Sequence, residues 1–362
     1  MARLLVAMSG GVDSSVAALL LQEQGHQIEG AYMKNWMAEW DPFGQCPWEQ
    51  DVADARTVAE KLGIPFRVVN LIEDYRERVV DYLLKGYAEG VTPNPDAYCN
   101  REIKFGVFLD LAHREGFDGI GTGHYAHIMT EADGRRSLEE GRDPGKDQSY
   151  FLALLGAKQI ASAWFPVGQL LKSEARARAE KAGLVTAAKK DSQGICFIGK
   201  VRMQDFLKEY LPEKPGAIVD SGGRVLGEHR GLHYYTLGQR RGIRVASPEP
   251  NIAYVVVAKD METNQLVIGY DRLETEELYA SRAILTNLST TGLELPAEAV
   301  LEARPRYRAP RVGIAFKRGD NGSASVEFAQ PQRALAPGQI CALYDGPKLL
   351  GGGVFAEIHH SS

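Results

Sequence analysis

The sequence predicts an α/β protein built from three parts: an N-terminal doubly wound parallel sheet, a small and mostly helical central domain, and a C-terminal antiparallel β-barrel. In the first 165 residues, apolar strand-like runs alternate with helical patterns, which is typical of a parallel sheet. Residues 166–215 are richer in helical and basic sequence. From 216 to 362, short β-rich runs are separated by Gly, Pro and Asp turns. The predicted domains are therefore 1–165, 166–215 and 216–362.

The composition is that of a globular protein and argues against several classes. The chain has 362 residues and a formal net charge of −5, which disfavours nonspecific coating of nucleic acid but permits a local basic face. No apolar run reaches the roughly 18 residues of a membrane span, and the N-terminus enters a strand almost at once. Four cysteines are too few for a disulfide framework. We therefore expect a cytoplasmic protein without a membrane segment.

The first turn of the predicted sheet has the composition of a phosphate-binding loop. It reads MSGGVDSS over residues 8–15, after an apolar strand that ends at Ala7 and before an apolar helix. Glycines let backbone N–H groups approach an anion closely, and the helix N-terminus adds a favourable dipole. Asp13 could cap this helix or reach a phosphate-bound Mg²⁺. The loop lacks the Gly-Lys-Ser/Thr of a Walker A motif, and a tight capped turn is the alternative.

The segments after the loop continue the alternation of strands and helices. The predicted strands cover 27–33, 66–70 and 117–125, and the predicted helices cover 51–62, 73–89 and 101–115. Met33 lies near the end of the second strand, where open α/β sheets place ligands, so an adenine contact and a core position are equally open. Asn100 is a candidate cap of the third helix. The polar stretch 131–145 is expected to be a flexible excursion.

The sequence has two basic stretches, of which the second is a candidate surface for RNA. One runs from 172 to 190, and the other from 302 to 318, where Tyr307 lies among arginines. Basic residues interleaved with aromatic ones suit RNA backbone and loop binding. A solvated surface is the favoured interpretation of the first stretch, and ordinary exposed strand charges are an equal alternative for the second. Between them, a helix is predicted at 203–210.

The four cysteines, Cys46, Cys99, Cys196 and Cys341, lack the spacing of a zinc site, so no metal site is expected from protein ligands alone. Cys99 directly precedes a predicted helix, whose dipole could lower the pKa of its thiol. Cys196 follows Ser-Gln-Gly, in a segment that could be exposed. Because a lone cysteine is usually a small buried hydrophobe, each thiol by itself is a weak indication of reactivity.

Five motifs occur in a fixed order: MSGGVDSS at 8–15, NPDAYC at 94–99, GTGHY at 121–125, GKDQSY at 145–150 and DSQGICF at 191–197. This ordered set resembles the bacterial tRNA-specific 2-thiouridylase family, a branch of the N-type ATP pyrophosphatases with an adenine nucleotide alpha hydrolase-like sheet. The resemblance implies an enzyme that uses ATP and Mg²⁺ to replace the C2 oxygen of the tRNA wobble uridine with sulfur. That oxygen would be adenylated and then displaced by persulfide sulfur, giving 2-thiouridine, AMP and pyrophosphate.

The resemblance also implies roles for individual residues. Those that would bind ATP are Ala7, Met8, Ser9, Gly10, Gly11, Val12, Asp13, Ser14, Met33 and Gly123. Those that would border the target base are Asn94, Pro95 and Asp96, with Asp96 a candidate acid/base. Those that would touch tRNA are His124, Lys146, Asp147, Gln148, Arg306, Tyr307 and Gln339.

The two remaining implied roles concern sulfur. Cys196 would carry the incoming sulfur as a persulfide, and Cys99 would attack it, leaving a transient Cys99–Cys196 disulfide. The implied partners are the tRNA anticodon loop, a persulfide donor (a sulfur relay protein or a cysteine desulfurase) and a cellular reductant. A structural disulfide is the alternative for this pair, although cytosolic disulfides are mostly transient or catalytic.

Two other functions stay open at this point. Another enzyme of the superfamily, such as a 4-thiouridine synthetase or an amidating synthetase, could use the same phosphate loop. Such an enzyme would not need Asn-Pro-Asp beside Cys99 together with a distant Cys196. A non-catalytic, ATP-gated RNA-binding module would leave both cysteines dispensable, so replacing them by serine separates that function from thiolation.

Overall fold

The computed structural model describes residues 1–36, 48–191 and 202–360. The strands of the N-terminal part are Arg3–Ala7 (β1), Gln27–Lys34 (β2), Phe66–Asn70 (β3), Gly119–Gly121 (β4), Ala126–Thr130 (β5), Arg136–Glu140 (β6) and Ala163–Trp164 (β7). Its helices are Val12–Glu23 (α1), Trp48–Leu62 (α2), Ile72–Tyr75 (α3), Asp81–Ala88 (α4), Pro95–Tyr98 (α5), Phe108–Arg114 (α6), Ala157–Ala161 (α7) and Lys172–Lys181 (α8). Wider π-helical turns at Arg76–Val80 and Cys99–Val107 join α3 to α4 and α5 to α6.

The N-terminal sheet is parallel throughout, in the order β3-β2-β1-β4-β7. Alternate residues of β1 point to opposite faces, and both faces are covered by helices. Leu4 belongs to the same buried cluster as Val16 of α1, whereas Leu5 clusters with Phe108 of α6. Burial on both faces explains why β1 reads as a continuous apolar run. The predicted doubly wound parallel sheet is confirmed.

The order of the strands locates the ligand crevice. From β1 the chain proceeds to β2 and β3 on one side, and it then returns to β4 on the other side of β1. The topological switch point therefore lies between β1 and β4, and open α/β sheets bind ligands beyond the carboxyl ends of the strands at such a point. The turns that begin at Met8 and Thr122 meet there.

The C-terminal half contains two separate sheets. Its elements are Met203–Tyr210 (α9), Gly216–Asp220 (β8), Val225–His229 (β9), Tyr254–Asp260 (β10), Gln265–Tyr270 (β11), Tyr279–Thr290 (β12), Glu298–Arg304 (β13), Val312–Arg318 (β14), Ala324–Arg333 (β15), Ile340–Asp345 (β16) and Lys348–His360 (β17). Strands β12-β15-β14-β13-β16-β17 form an antiparallel ring that the β12–β17 pairing closes, which confirms the predicted barrel. Strands β8 to β11 form a four-stranded sheet of their own.

The position of that second sheet could not be read from the turn spacing, because spacing marks strands but not their partners. The predicted barrel of 216–362 therefore includes 216–270, which the structure places outside the barrel ring. The predicted helix at 203–210 is confirmed as α9. The boundaries at residues 165 and 215 stay a prediction. None of the helices in the described ranges is both long and apolar enough to cross a membrane.

The polar stretch 131–145 differs from its prediction as a flexible excursion. It contains β6, which pairs with β5 and then with β17 of the barrel, where Leu138 lies opposite Leu349. Leu138 is fully buried, and one buried leucine among polar residues is too weak a pattern to predict a strand. As a consequence, the barrel sheet extends into the N-terminal domain just before residues 146–148.

Candidate active site

The turn after β1 is closed by its own hydroxyl groups. The backbone N–H of Ser9 donates to Ser14 Oγ at 3.1 Å, and Ser14 Oγ donates to the carbonyl of Gly11 at 3.1 Å. Gly10 has φ +72°, and a Cβ there would lie 2.3 Å from the carbonyl oxygen of Asp51, so only glycine fits. No side chain caps α1 at Gly11, which leaves the first helical N–H groups directed at the crevice.

Gly123 completes this turn from the neighbouring strand. A Cβ on Gly123 would lie 2.7 Å from the carbonyl carbon of Asp13 and from the amide nitrogen of Ser14. The backbone after β4 therefore packs directly on the phosphate-loop backbone, at the switch point of the sheet. The contact of Gly123 with the nucleotide stays a prediction.

Substituting Gly123 with alanine should weaken nucleotide binding, because the added methyl group must push the loop away. Overpacking of this kind costs about 1–3 kcal/mol, which at the loop corresponds to about a tenfold or greater rise in the Kd for ATP. Calorimetric titration with ATP measures it. The matched control is Gly156→Ala, since Gly156 has φ −90° and meets nothing closer than 3.9 Å. An unchanged Kd in Gly123→Ala would contradict the contact.

Asp13 does not cap α1, so the first of the two predictions for this residue is wrong. Its carboxylate accepts hydrogen bonds from the Tyr125 hydroxyl at 2.9 Å and from Lys172 Nζ at 2.7 and 2.8 Å. Lys172 begins α8, and its side chain is only 12% exposed. A solvated surface is therefore the wrong interpretation for Lys172, which faces the phosphate loop.

Three cations converge on Asp191, the last described residue before residue 202. Lys146 and Lys172 lie 2.6 and 2.8 Å from its carboxylate, and Arg176 lies at 2.7 Å. Burial alone would raise the pKa of Asp191, but the hydrogen bonds from Lys146 and Lys172 outweigh it and hold the pKa at about 2. The Asp191 carboxylate is thus held by three cationic side chains, and such cations also bind phosphate groups.

Residues 94–99, called the base-side segment after their predicted place beside the target base, begin a helix earlier than predicted. Helix α5 starts at Pro95, and Asn94 is its cap, with Asn94 Oδ1 accepting from the amide of Ala97 at 3.1 Å. The proposed cap Asn100 is wrong, because proline fits the first helical position rather than holding the chain extended. Cys99 consequently lies in the second turn, beyond the first turn in which the helix dipole acts most strongly on a thiol. Cys99 is 1% exposed.

The charge of Lys104 acts on both Asp96 and His124. Burial raises the pKa of Asp96, and the charge of Lys104 partly opposes this rise. Burial also lowers the pKa of His124 well below its usual range, and Lys104 lowers it further. Lys104 Nζ lies 3.3 Å from His124 Nε2 and 2.9 Å from Asn100 Oδ1. A buried carboxyl of raised pKa near a crevice is suited to acid/base work.

The C-terminal barrel region is hydrogen-bonded to the chain that leads into the base-side segment. Gln339 Nε2 donates to the carbonyl of Thr92 at 2.7 Å, and the amide of Thr92 donates to the carbonyl of Pro337 at 2.9 Å. Gln339 therefore contacts the segment that leads into Asn94 and Pro95. A contact of Gln339 with tRNA stays a prediction.

Asp147 is buried in a hydrogen-bonded cluster. Its carboxylate accepts from the amides of Gly141 and Ser149 at 2.9 and 3.1 Å and from Ser149 Oγ at 2.9 Å. Arg304 of the barrel lies at 2.6 Å, and the Asp147 side chain is only 4% exposed. The predicted tRNA contact of Asp147 remains untested, but its bonds are those of a residue that shapes the turn carrying Lys146 and Gln148.

Loss of the Asp147–Arg304 pair is expected to destabilise the protein. Arg304→Met leaves the buried Asp147 carboxylate without this cation, and it also removes the ion pair of Arg304 with Glu140. Breaking a buried pair in this way typically costs about 3–5 kcal/mol of unfolding free energy. Urea unfolding followed by circular dichroism measures this loss. Lys317→Met is the control, because Lys317 pairs with Glu298 on the surface and both side chains are more than two-thirds exposed. Equal small losses in both variants would refute the buried pair.

The basic stretch 302–318 divides into paired and exposed residues. Arg311 pairs with Glu302 at 3.0 Å and also approaches Glu140, so it is not part of an open basic face. Arg306 is exposed and donates to the carbonyl of Arg333. Tyr307 packs on Phe151 with ring centroids 4.4 Å apart. Arg306 and Tyr307 thus lie beside the turn that follows Gln148, which donates its amide to the carbonyl of Tyr125.

The structure brings most of the predicted site residues to one edge of the sheet. Met33 is the penultimate residue of β2 and is partly buried, so the two interpretations of it stay open. Cys46 and Cys196 lie outside the described residues, and so does the predicted Cys99–Cys196 pairing. Cys341 is fully buried in the barrel core, and burial raises the pKa of its thiol. Lys104 was not among the predicted site residues, although its helical spacing from Asn100 was a signal, and Lys172 and Arg304 were predicted only as members of the two basic stretches.

Comparison with known proteins finds family models for three consecutive parts of the chain and relatives that match nearly all of it. Residues 2–200 match the family described as "tRNA methyl transferase HUP domain", residues 204–270 the "tRNA methyl transferase PRC-barrel domain", and residues 282–355 the "Aminomethyltransferase beta-barrel domain". A protein of Akkermansia muciniphila named tRNA-specific 2-thiouridylase MnmA is 58% identical over 358 residues, covering 99% of each chain. Proteins of the same name from Streptococcus pyogenes and Pseudomonas paraeruginosa are 46% and 47% identical, covering 97% of this chain and 94% of each relative.

Proposed function

Since the chain belongs to the tRNA-specific 2-thiouridylase family, we propose that it replaces the C2 oxygen of the tRNA wobble uridine with sulfur in an ATP-dependent reaction. The observation that carries this proposal is the meeting of three segments at one sheet edge. The phosphate loop at 8–15, the strand end at 122–125 and the base-side segment at 94–99 adjoin one another through Gly123 and Lys104.

ATP binds with its phosphates on the loop. The uncapped N-terminus of α1 and the open backbone at Gly10 and Gly11 receive the anion, and Lys172 lies within reach of it. Met33 and Gly123 contact the nucleotide from β2 and β4. No group of three metal-ligating side chains occurs among the described residues. Mg²⁺ bound to the ATP phosphates would neutralise their charge, and the Asp13 carboxylate would be the side chain to hold it.

Adenylation makes the C2 oxygen a good leaving group. The uracil oxygen attacks the α-phosphorus, the bond from that phosphorus to the β-phosphate bridging oxygen breaks, and pyrophosphate leaves. The N3 proton passes to the ionised Asp96 carboxylate at this step and returns to N3 when sulfur adds to C2. The carboxylate thus acts as base and then as acid. Asn94 and Pro95 border the base, and a wobble base needs little unstacking because it is already in a loop.

Sulfur then displaces AMP. The terminal sulfur of a Cys196 persulfide attacks C2, AMP leaves, and Cys99 attacks the inner sulfur of the resulting Cys196–S–S–C2 link. The products are 2-thiouridine and a Cys99–Cys196 disulfide, which a cellular reductant reopens. Release of free sulfide by the same attack of Cys99 is the variant of this route. A persulfide donor protein, either a sulfur relay protein or a cysteine desulfurase, reloads Cys196.

Substrate tRNA contacts the exposed rim around this crevice. Lys146, Gln148, Arg306 and Tyr307 lie on adjoining segments of that rim, and His124 and Gln339 hold its inner wall. The test is to incubate the purified protein with tRNA, ATP and a persulfide donor, and to separate thiolated tRNA on a mercury-containing gel. ATP-dependent retardation of the tRNA supports the proposal. Thiolation that proceeds without ATP, or none with every component present, refutes it.

A further inference from the structure

The ammonium group of Lys104 joins the three segments of the proposed site. It donates to His124 Nε2 at the end of β4 and to Asn100 Oδ1 on its own helical run, at 3.3 and 2.9 Å. Asn100 Nδ2 in turn donates to the carbonyl of Phe151 at 3.0 Å, in the turn that follows Gln148. A single cation therefore connects the base-side helix, the nucleotide-side strand and the segment that carries Lys146 to Gln148.

These contacts fix the tautomer of His124. An ammonium group has only donors, so His124 Nε2 must be the unprotonated acceptor in this contact. The proton then lies on Nδ1, which donates to Thr122 Oγ1 at 2.7 Å. His124 is 8% exposed, and a neutral imidazole is the form that such burial favours.

We propose that Lys104 is a positioning residue for thiolation: its ammonium group joins His124 to Asn100 on the base-side helix and holds the imidazole of His124 in the Nδ1–H tautomer. The inference rests on the proposed function, because it assigns Lys104 to that reaction. Lys104 acts through its neighbours and is not assigned a contact with substrate.

The charges around the crevice support this assignment. Within the described ranges, Lys104 is the charged residue whose field reaches both Asp96 and His124, and burial is the other influence on each of them. Asp96 loses the benefit of water as it becomes buried, so a nearby cation is what offsets the cost of its ionised form. Replacing Lys104 by an uncharged side chain of similar size should therefore raise the pKa of Asp96 further.

The test compares Lys104→Met with Lys104→Arg, and Lys85→Met serves as the control. Methionine keeps an unbranched stem without charge, arginine keeps the charge, and Lys85 is an exposed helical lysine of the same domain. Two measurements are made on each full-length variant. Carboxyl ¹³C resonances assigned with Asp96→Asn report the titration of Asp96, and imidazole ¹⁵N resonances report the tautomer of His124. Single-turnover thiolation of tRNA is then followed as a function of pH.

We expect Lys104→Met to move the Asp96 titration and the acidic limb of the rate profile to higher pH, and to mix the His124 tautomers. Misplacement of an acid/base pair typically lowers rates by about 10–100-fold, so a loss of that size is expected at neutral pH. Lys104→Arg should keep the wild-type titration and most of the rate, and Lys85→Met should match the wild type. A His124 that keeps the Nδ1–H tautomer unmixed in Lys104→Met overturns the role of Lys104. A wild-type protein that makes no thiolated tRNA overturns the proposed function instead.

Discussion

Replacing Cys99 with serine is expected to abolish formation of thiolated tRNA while leaving ATP binding intact. In the proposed reaction the Cys99 thiolate cleaves the persulfide link, and a serine hydroxyl cannot do so at neutral pH. Losing a covalent nucleophile lowers turnover by about 10³-fold or more. The thiol is 1% exposed, so it reacts only with a group delivered to it within the crevice. Mercury-gel analysis of tRNA measures the effect.

The matched control for that variant is Cys341→Ala. Cys341 is also buried, but it lies in the barrel core and burial raises the pKa of its thiol, which makes it a poor nucleophile. Its replacement should lower stability slightly and leave thiolation at the wild-type rate. Thiolated tRNA produced by Cys99→Ser as fast as by Cys341→Ala would show that the chemistry does not pass through Cys99. It would favour a non-catalytic role for Cys99 and for its proposed partner Cys196.

Replacing Asp96 with asparagine is expected to give the second large effect. The amide cannot take the N3 proton, so the rate of thiolation should fall by about 10²–10⁴-fold at pH values where the Asp96 carboxyl of the wild type is ionised. The wild-type rate should show an acidic limb placed above the usual carboxyl range, because burial raises the pKa of Asp96. That limb should be absent from the variant. A pH–rate profile that keeps the limb after substitution would assign it to another group.

The same substitution should not destabilise the protein at neutral pH. A carboxyl whose pKa is higher in the folded state binds its proton more tightly there, so its contribution to stability is greatest at low pH and declines as the pH rises. Asparagine removes the buried charge of Asp96 at neutral pH. We therefore expect a melting temperature equal to or above that of the wild type. A large drop would mean that the rate loss reflects unfolding, and the acid/base assignment would lose its support.

The parts of the fold that leave a local pattern could be predicted from the sequence. The parallel sheet follows from apolar strands between helical stretches, and the phosphate loop follows from glycines and serines between β1 and α1. The helix was predicted to begin at residue 101, with Asn100 as its cap, but α5 starts at Pro95 because proline fits the first position of a helix. A proline such as Pro95 fits either an extended loop or the first turn of a helix, and only the tertiary environment selects between the two.

The contacts that complete the site could not be predicted, because they join residues far apart in the chain. Lys172 reaches Asp13 across 159 residues, and Arg304 reaches Asp147 across 157. Both lysine and arginine lie in basic stretches whose composition is the same whether the charges are solvated or paired. Pairing depends on which strands and helices become neighbours, which composition does not encode. Arg304 of the barrel therefore supports the N-terminal domain, although its sequence context is that of an exposed surface charge.

The most direct test of the account follows the uracil oxygen itself. An anticodon stem-loop is prepared with heavy oxygen at C2 of the wobble uridine and is thiolated by the protein with ATP and a persulfide donor. Mass spectrometry of the nucleotide products then locates the label. The account predicts that the heavy oxygen appears in the phosphate of AMP, in an amount equal to the thiolated RNA formed. Unlabelled AMP alongside thiolated RNA, or formation of ADP and phosphate in place of AMP and pyrophosphate, would contradict adenylation of the C2 oxygen.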